Sequence, residues 1–247
     1  MEIVQGIDVF LESFAYLRSF TYPAEVVYSD SLGIVRDVNR TGAKARNEEI
    51  AYCGDSPEEA HQFLLNYDPK SRYFLLVMHS PEKDMNEVRD SYKALGYRLT
   101  STEWLMVRNL ENLPDYESPY KTHRVRTPEQ AELMKIADGK QQIRSEDLTA
   151  EKPIIRMYYA ENEGTPISWV KSIQKNTASC YVSSVYTQPD FRRRGIATAL
   201  MYEMLKEDKE AGAKWSILLA SSQGSKLYPK LGYETLGIMR IFKKSKK

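Results

Sequence analysis

The sequence is poor in the residues that build metal centres and covalent staples. It has two cysteines and three histidines in 247 residues. Cys53 and Cys180 show no C-x-x-C spacing and the histidines are scattered, which argues against a zinc site and against a disulfide framework. No charge sign is in excess: Lys+Arg is 35 and Asp+Glu is 34, a formal net charge of +1. That balance argues against a general nucleic-acid binder, which carries a basic surplus. Long apolar runs are missing too. The longest, Tyr73–Met78, is too short for a bilayer span, so no membrane association is expected. The opening residues MEIVQGIDVF carry acids and no apolar core, so no signal peptide is expected and a reducing cytoplasm is the default. Neither a GKS/GKT phosphate loop nor a G-x-G-x-x-G fingerprint occurs, which disfavours a nucleotide-binding reading.

What is present is a globular composition, with 42% hydrophobic and 28% charged residues. The length suits one large domain or two small ones at ~100–200 residues each. In the second half, Thr127-Pro128-Glu129-Gln130 reads as an N-cap with Pro at N1 and Gln at N3, opening a helix to about Ala137. His123 begins a strand. Ile154–Ala160, the turn Asn162-Glu163-Gly164 and Thr165–Ser172 form a hairpin, and Ser179–Tyr186 adds a third strand. After Pro189 the period changes. Ile196, Leu200 and Met204, beside Ala197, Met201 and Leu205, draw one apolar helical stripe. Trp215–Ala220 is a buried strand, Lys226–Leu231 a further helix with Gly232 at C′, and Tyr233–Phe242 a last strand before a solvated lysine tail.

The first half repeats this order. Ala24–Tyr28 and Leu32–Val35 form a hairpin, Glu49–Tyr52 a short strand, and Ser56-Pro57-Glu58-Glu59 caps a helix to Leu65. Arg72–Met78 is a strand, Ser80-Pro81 opens a helix ending at Leu95-Gly96, and Glu103–Val107 is a strand. The hexamers Tyr92–Tyr97 and Tyr228–Tyr233 share the pattern Y-x-x-L-G-Y, each between a helix and a strand. An α/β fold with a mixed sheet is therefore expected, as two related domains at 1–115 and 121–247 joined near Leu113–Lys121.

The chemistry concentrates in Val185–Leu200, VYTQPDFRRRGIATAL. It runs from a strand through an Arg/Gly turn into an amphipathic helix. A helix N-terminus offers unpaired N–H groups and the positive end of the dipole. Gly195 permits close backbone approach, Ala197 leaves room, Thr198 adds a hydroxyl, and Arg192, Arg193 and Arg194 place charge at the mouth. Such a site suits a pyrophosphate.

Arg192-Arg193-Arg194-Gly195-Ile196-Ala197 resembles the R/Q-x-x-G-x-G/A acetyl-CoA signature of the GNAT acyltransferase superfamily. Trp215–Ala220 followed by Leu227-Tyr228-Pro229-Lys230-Leu231-Gly232-Tyr233 resembles that family's strand and LYxKxGF ending. The resemblance covers roughly residues 122–242. It implies a GNAT fold in the carboxyl half, acetyl-CoA as co-substrate without a metal, and direct transfer of the acetyl group to an amine in a ternary complex. Carried onto matching positions, the strand end at Val185, Tyr186 and Thr187 would splay from its neighbour and bind the pantetheine arm through backbone groups, and a backbone N–H near Tyr186 would polarise the acyl carbonyl. The N–H groups from Arg193 through Ile196 to Thr198 would cradle the pyrophosphate, and Tyr228 would protonate the leaving thiolate. Ser221 stands where the family often has Asn, and Gly224 where Ala is common.

The corresponding turn of the first half, Cys53–Glu59, has no arginine. It carries Asp55, Glu58 and Glu59 where phosphates would sit. The amino half is expected to be a degenerate GNAT-like repeat that shapes the substrate cleft or an interface. The acceptor is expected to be a small-molecule or peptide amine, and the protein a monomer or homodimer. Glu161 and Glu163 are unranked candidates for a general base. Cys180 reads as packing rather than nucleophile. A non-catalytic acyl-CoA sensor or scaffold is the rival reading.

Overall fold

The computed structural model describes residues 1–176 and 178–245. In chain order the elements are α1 (Ile3–Arg18), β1 (Ala24–Ser29), β2 (Leu32–Asp37), β3 (Glu48–Tyr52), α2 (Pro57–Tyr67), β4 (Tyr73–His79), α3 (Met85–Ala94) and β5 (Tyr97–Asn109). They continue as β6 (Thr122–Arg124), α4 (Pro128–Asp138), α5 (Ser145–Thr149), β7 (Ile155–Asn162), β8 (Thr165–Ile173), β9 (Ser179–Thr187), α6 (Ile196–Glu210), β10 (Trp215–Ala220) and β11 (Glu234–Lys244). The result is a mixed α/β fold.

The chain divides into two compact units. One is Met1–Val107 together with Leu219–Lys247; the other is Arg108–Leu218. The sequence boundary near 115–121 follows the chain, whereas the compact units assign residues 219–247 to the amino-terminal unit.

In the first unit the strands run β1-β2-β3-β4-β11-β5. Only β3 and β4 are parallel. Ile50 and Tyr52 of β3 join Ala60 and Leu64 of α2, Leu75 and Val77 of β4, and Tyr92, Tyr97 and Phe242 in one buried cluster. The alternation of strand side chains then turns Glu49 and Ala51 to the opposite face.

In the second unit the order is β10-β9-β8-β7-β6. Only β9 and β10 are parallel. The turn between β7 and β8 has Glu163 at φ 51° and Gly164 at φ 78°, the doubly left-handed geometry that tight hairpins require. Helix α6 buries Ile196, Leu200, Met201, Met204 and Leu205, the stripe read from the sequence. The same face also buries Asp208, which receives Arg156 Nη2 at 2.6 Å and Ser172 Oγ at 2.8 Å.

Local capping chemistry sets several boundaries. Thr127 and Gln130 form a reciprocal capping box on α4, and Ser56 Oγ accepts the Glu59 N–H of α2. Five elements differ from the sequence expectation, the first being β5, which starts at Tyr97 rather than Glu103 and runs to Asn109. Helix α1 was not expected: its cap is Glu2 rather than Ser, Thr, Asp or Asn, although Ile7, Phe10, Leu11 and Ala15 are buried at helical spacing. Helix α3 starts at Met85, because Asp84 rather than Ser80 accepts the N–H groups of Asn86 and Glu87. Residues 224–231 form two short 3-10 turns instead of one α-helix, with Pro229 inside the second and Gly232 left-handed at its end. Strand β11 runs on through Lys243 and Lys244, whose ammonium groups lie 4.4 and 4.5 Å from the rings of Phe74 and Tyr97. The last two lysines of the expected tail lie outside the described residues.

Candidate functional site

The corner that joins β9 to α6 gathers most of the residues singled out from the sequence. Strand β9 pairs with β8 along its length. With β10 it pairs only at Ser179, Cys180 and Tyr181, opposite Trp215, Ser216 and Ile217. Among the described residues, Val182–Thr187 have no partner on the β10 side. A register break against β8 falls between Trp169 and Lys171, and Ser184 there has φ 55°. Such a bulge re-aims a strand. The end of β9, with Val185, Tyr186 and Thr187, is thereby freed on one edge.

Side chains fix this end in place. Ser168 Oγ donates to the Tyr186 carbonyl at 2.7 Å and lies 2.8 Å from Thr187 Oγ1. The Tyr186 ring stacks on Trp169 with centroids 4.5 Å apart and remains 37% exposed.

The chain then passes through a 3-10 turn, Pro189–Phe191, and enters α6 through two left-handed residues, Arg193 at φ 61° and Gly195 at φ 85°. An added Cβ at Gly195 would meet only Tyr120, at an ordinary 3.9 Å. The glycine therefore answers to backbone conformation rather than to space. No side chain caps α6 and its first turn holds no acid. The Ala199 N–H closes the first helical bond to Gly195 O at 3.0 Å. The N–H groups of Ile196, Ala197 and Thr198 precede that bond and lack intrahelical acceptors. This is an open, positively polarised helix end.

Arg192, Arg193 and Arg194 are all exposed. Two of them also brace the turn. Arg192 Nε donates to Thr187 O at 2.9 Å, and Arg194 Nη2 donates to Asp190 O at 2.8 Å. The Tyr120 hydroxyl donates to the Arg194 carbonyl. Tyr120, Ser168 and Trp169 thus support the corner without having been foreseen in that role; their contacts are tertiary, and no local spacing announces them.

Ser221 and Tyr228 belong to the other compact unit. Ser221 Oγ accepts the Gly224 N–H at 3.3 Å. Tyr228 is 8% exposed and packs edge-on to Tyr233 at 5.7 Å. Burial pushes its phenol up to about 12. A Cβ on Gly224 would come within 2.8 Å of the Tyr228 ring, which explains the glycine there.

The remaining candidates separate by environment. Cys180 is fully buried, its thiol 3.6 Å from Trp215 O, and burial raises its pKa well above the usual thiol value, as suits packing. His123 stacks on Tyr159, with Nε2 3.7 Å from Glu161 Oε1. Glu163 is exposed in the hairpin turn. Among the described residues no group of three His, Cys, Asp or Glu is placed to hold a metal, and no helix is long and apolar enough to cross a membrane.

The corner of the amino half has another geometry. All five residues of β3 pair with β4, from Glu48 opposite Tyr73 to Tyr52 opposite Val77. A Cβ on Gly54 would lie 2.1 Å from the Tyr52 hydroxyl, which donates to Glu59 Oε2 at 3.2 Å. The first turn of α2 holds Glu58, Glu59 and Pro57, and Ser56 caps it.

No curated protein matches this sequence. Among solved structures, a GCN5-related N-acetyltransferase from Kribbella flavida is similar over 100% of this chain and 97% of its own, at 15% identity and TM-score 0.62. A functionally unknown conserved protein from Staphylococcus epidermidis is similar over 90% and 95%, at 14% identity and TM-score 0.58. A GCN5-related N-acetyltransferase from Sphaerobacter thermophilus is similar over 86% and 76%, at 14% identity and TM-score 0.55. At these identities the likeness is one of fold. The family described as acetyltransferase (GNAT) domain matches residues 153–235, which span β7 to the start of β11 and include the open corner. The carboxyl half of this chain is thus similar to a GNAT acetyltransferase domain over residues 153–235.

Proposed function

We propose that the chain transfers an acetyl group from acetyl-CoA to an amine by direct attack in a ternary complex. The observation that carries this reading is the corner itself: a β9 end freed from β10 leads into an uncapped helix N-terminus flanked by three arginines. In this reading the N–H groups of Ile196, Ala197 and Thr198 receive the pyrophosphate, with Arg192, Arg193 and Arg194 supplying charge. The free edge at Val185–Thr187 receives the pantetheine arm, with Ser221 as a further hydrogen-bonding group. A backbone N–H near Tyr186 polarises the acyl carbonyl, so that charge developing on oxygen meets a fixed donor. Tyr228, whose phenol burial keeps protonated at neutral pH, supplies a proton to the departing thiolate. The acceptor is a small-molecule or peptide amine, and the reaction is cytoplasmic.

One observation favours the rival, a non-catalytic acyl-CoA sensor. Tyr228 packs against Tyr233 much as Tyr92 packs against Tyr97, at 5.7 and 6.0 Å, both edge-on. That repetition suits a structural tyrosine. Release of free thiol from acetyl-CoA over a panel of amines separates the two. Acceptor-dependent release that falls at least tenfold in Tyr228→Phe, with KM for acetyl-CoA little changed, supports the acid role. Binding of acetyl-CoA without release on any amine supports the sensor.

A further inference from the structure

The first unit contains a cleft of about 370 Å³ that the acyl-transfer reading does not use. That volume lies within the ~300–1,000 Å³ range of small-molecule pockets. It opens on the face of β3 opposite α2, between α1, the β1–β2 hairpin and the end of β3. Its floor is apolar: Ile7, Leu11 and Ala51 are each at most 3% exposed. Its charged groups share one sign. Asp8 and Asp30 line it, and no Lys or Arg is among the lining residues. The Tyr28 hydroxyl donates to Asp8 Oδ1 at 3.1 Å, which orients that carboxylate. Cys53 forms part of the wall, and burial raises its thiol to about 11, so it adds no charge at neutral pH.

Asp8 is half-buried and Asp30 exposed; two carboxylates above an apolar floor repel anions, and a neutral ligand seated there would cover them without compensation. A cation on an apolar body satisfies both parts. We propose that this cleft is a second binding site, for a small primary amine carried on an apolar group, held by Asp8 and Asp30 over the floor made by α1 and β3. The site is separate from the acyl-transfer corner, and its existence does not depend on that reading.

Cys53 supplies the test, because it reports on this cleft alone. The full chain is treated with iodoacetamide at about pH 9, with and without benzylamine, and the Cys53 peptide is followed by mass; buried Cys180 serves as the silent thiol. The expected result is saturable slowing of Cys53 alkylation by benzylamine. Benzyl alcohol and benzoate should protect at least tenfold less well. Asp8→Asn should weaken the protection about fivefold, as loss of a partly exposed ion pair does. Asp30→Asn keeps a residue that tolerates the φ of 50° found there, so it tests the charge even if Asp8→Asn impairs folding. Each variant is compared with its own rate without amine. An amine bound only in the carboxyl half leaves Cys53 alkylation unchanged. No protection at about 10 mM benzylamine, equal protection by the alcohol or benzoate, or full protection in Asp30→Asn would overturn the proposal.

Discussion

The chain makes the same strand–turn–helix corner twice and leaves only one of them open. At β9–α6 the strand separates from its parallel neighbour after Tyr181, the helix has no side-chain cap, and its first turn holds no acid. At β3–α2 the strand stays paired to its last residue, Ser56 caps the helix, Glu58 and Glu59 occupy the first turn, and the Tyr52 ring fills the space beside Gly54. The frame is shared. Both Y-x-x-L-G-Y segments place their tyrosines edge-on, and both glycines are left-handed, at φ 81° and 73°. A common frame therefore does not dictate a common ligand. Three local choices — strand pairing, helix cap and first-turn charge — decide whether an anion can approach.

The largest way to break the comparison is through the seats of the two helices. Helix α2 rests on Ala60 and Leu64, whereas α6 also buries Asp208 against Arg156. Asp208→Ala strands a buried guanidinium and should cost about 3–5 kcal/mol in denaturant unfolding, while replacing both partners by apolar residues should cost far less. A loss below about 1 kcal/mol would remove the ion pair from the account of how α6 is held.

The two halves should also respond to pH with opposite slopes. Burial, reinforced by Glu103 and opposed by Arg18, raises the Glu49 carboxyl to about 7. The folded chain then holds a proton that the unfolded chain has lost, so stability falls as pH rises from about 4.5 through 7, on the order of 3 kcal/mol. Burial lowers the Lys171 ammonium to about 8, with Lys140 adding to the effect. The unfolded chain then binds more protons, so stability rises between about pH 8 and 10.5 by a similar amount. Unfolding free energies across these ranges should flatten below neutrality in Glu49→Gln and above it in Lys171→Met.

Charge in the first turn gives a sharper contrast. Ala197→Glu copies the acidic start of α2 onto α6. It should weaken acetyl-CoA binding at least about tenfold by like-charge repulsion, with the loss reduced in high salt. An unchanged affinity would place the pyrophosphate elsewhere. The smallest effect is expected at the closed corner. Ser56→Ala removes the cap on the Glu59 N–H and should lower stability by about 1 kcal/mol without altering acetyl-CoA affinity.

Much of this contrast was legible in the sequence because its causes are local. The R-x-x-G-x-A turn, the Ser56 cap, the capping box at Thr127, the Asn-Glu-Gly hairpin and the α6 stripe each depend on residues within one or two turns of chain. The acidic start of α2 was legible for the same reason. The release of β9 from β10 was expected only through the family resemblance; no local pattern encodes it, because it is a matter of register between strands about 30 residues apart. The Tyr52 ring beside Gly54 and the Tyr120 bond to the Arg194 carbonyl were hidden likewise. The assignment of residues 219–247 to the amino-terminal unit follows from pairing of β11 with β4 and β5, which no local pattern encodes. Helix α1 is a different case. Its buried Ile7, Phe10, Leu11 and Ala15 stand at readable spacing, but a glutamate cap concealed where it starts.

The central claim is that one corner is open to acetyl-CoA and the other closed. Calorimetric titration of the full chain, first freed of copurified CoA, tests it most directly through the stoichiometry. One acetyl-CoA per chain, lost or weakened by Ala197→Glu and unaffected by Ser56→Ala, is the expected result. Two per chain would show that the amino corner opens after all, and none in folded protein would remove the cofactor from the carboxyl corner.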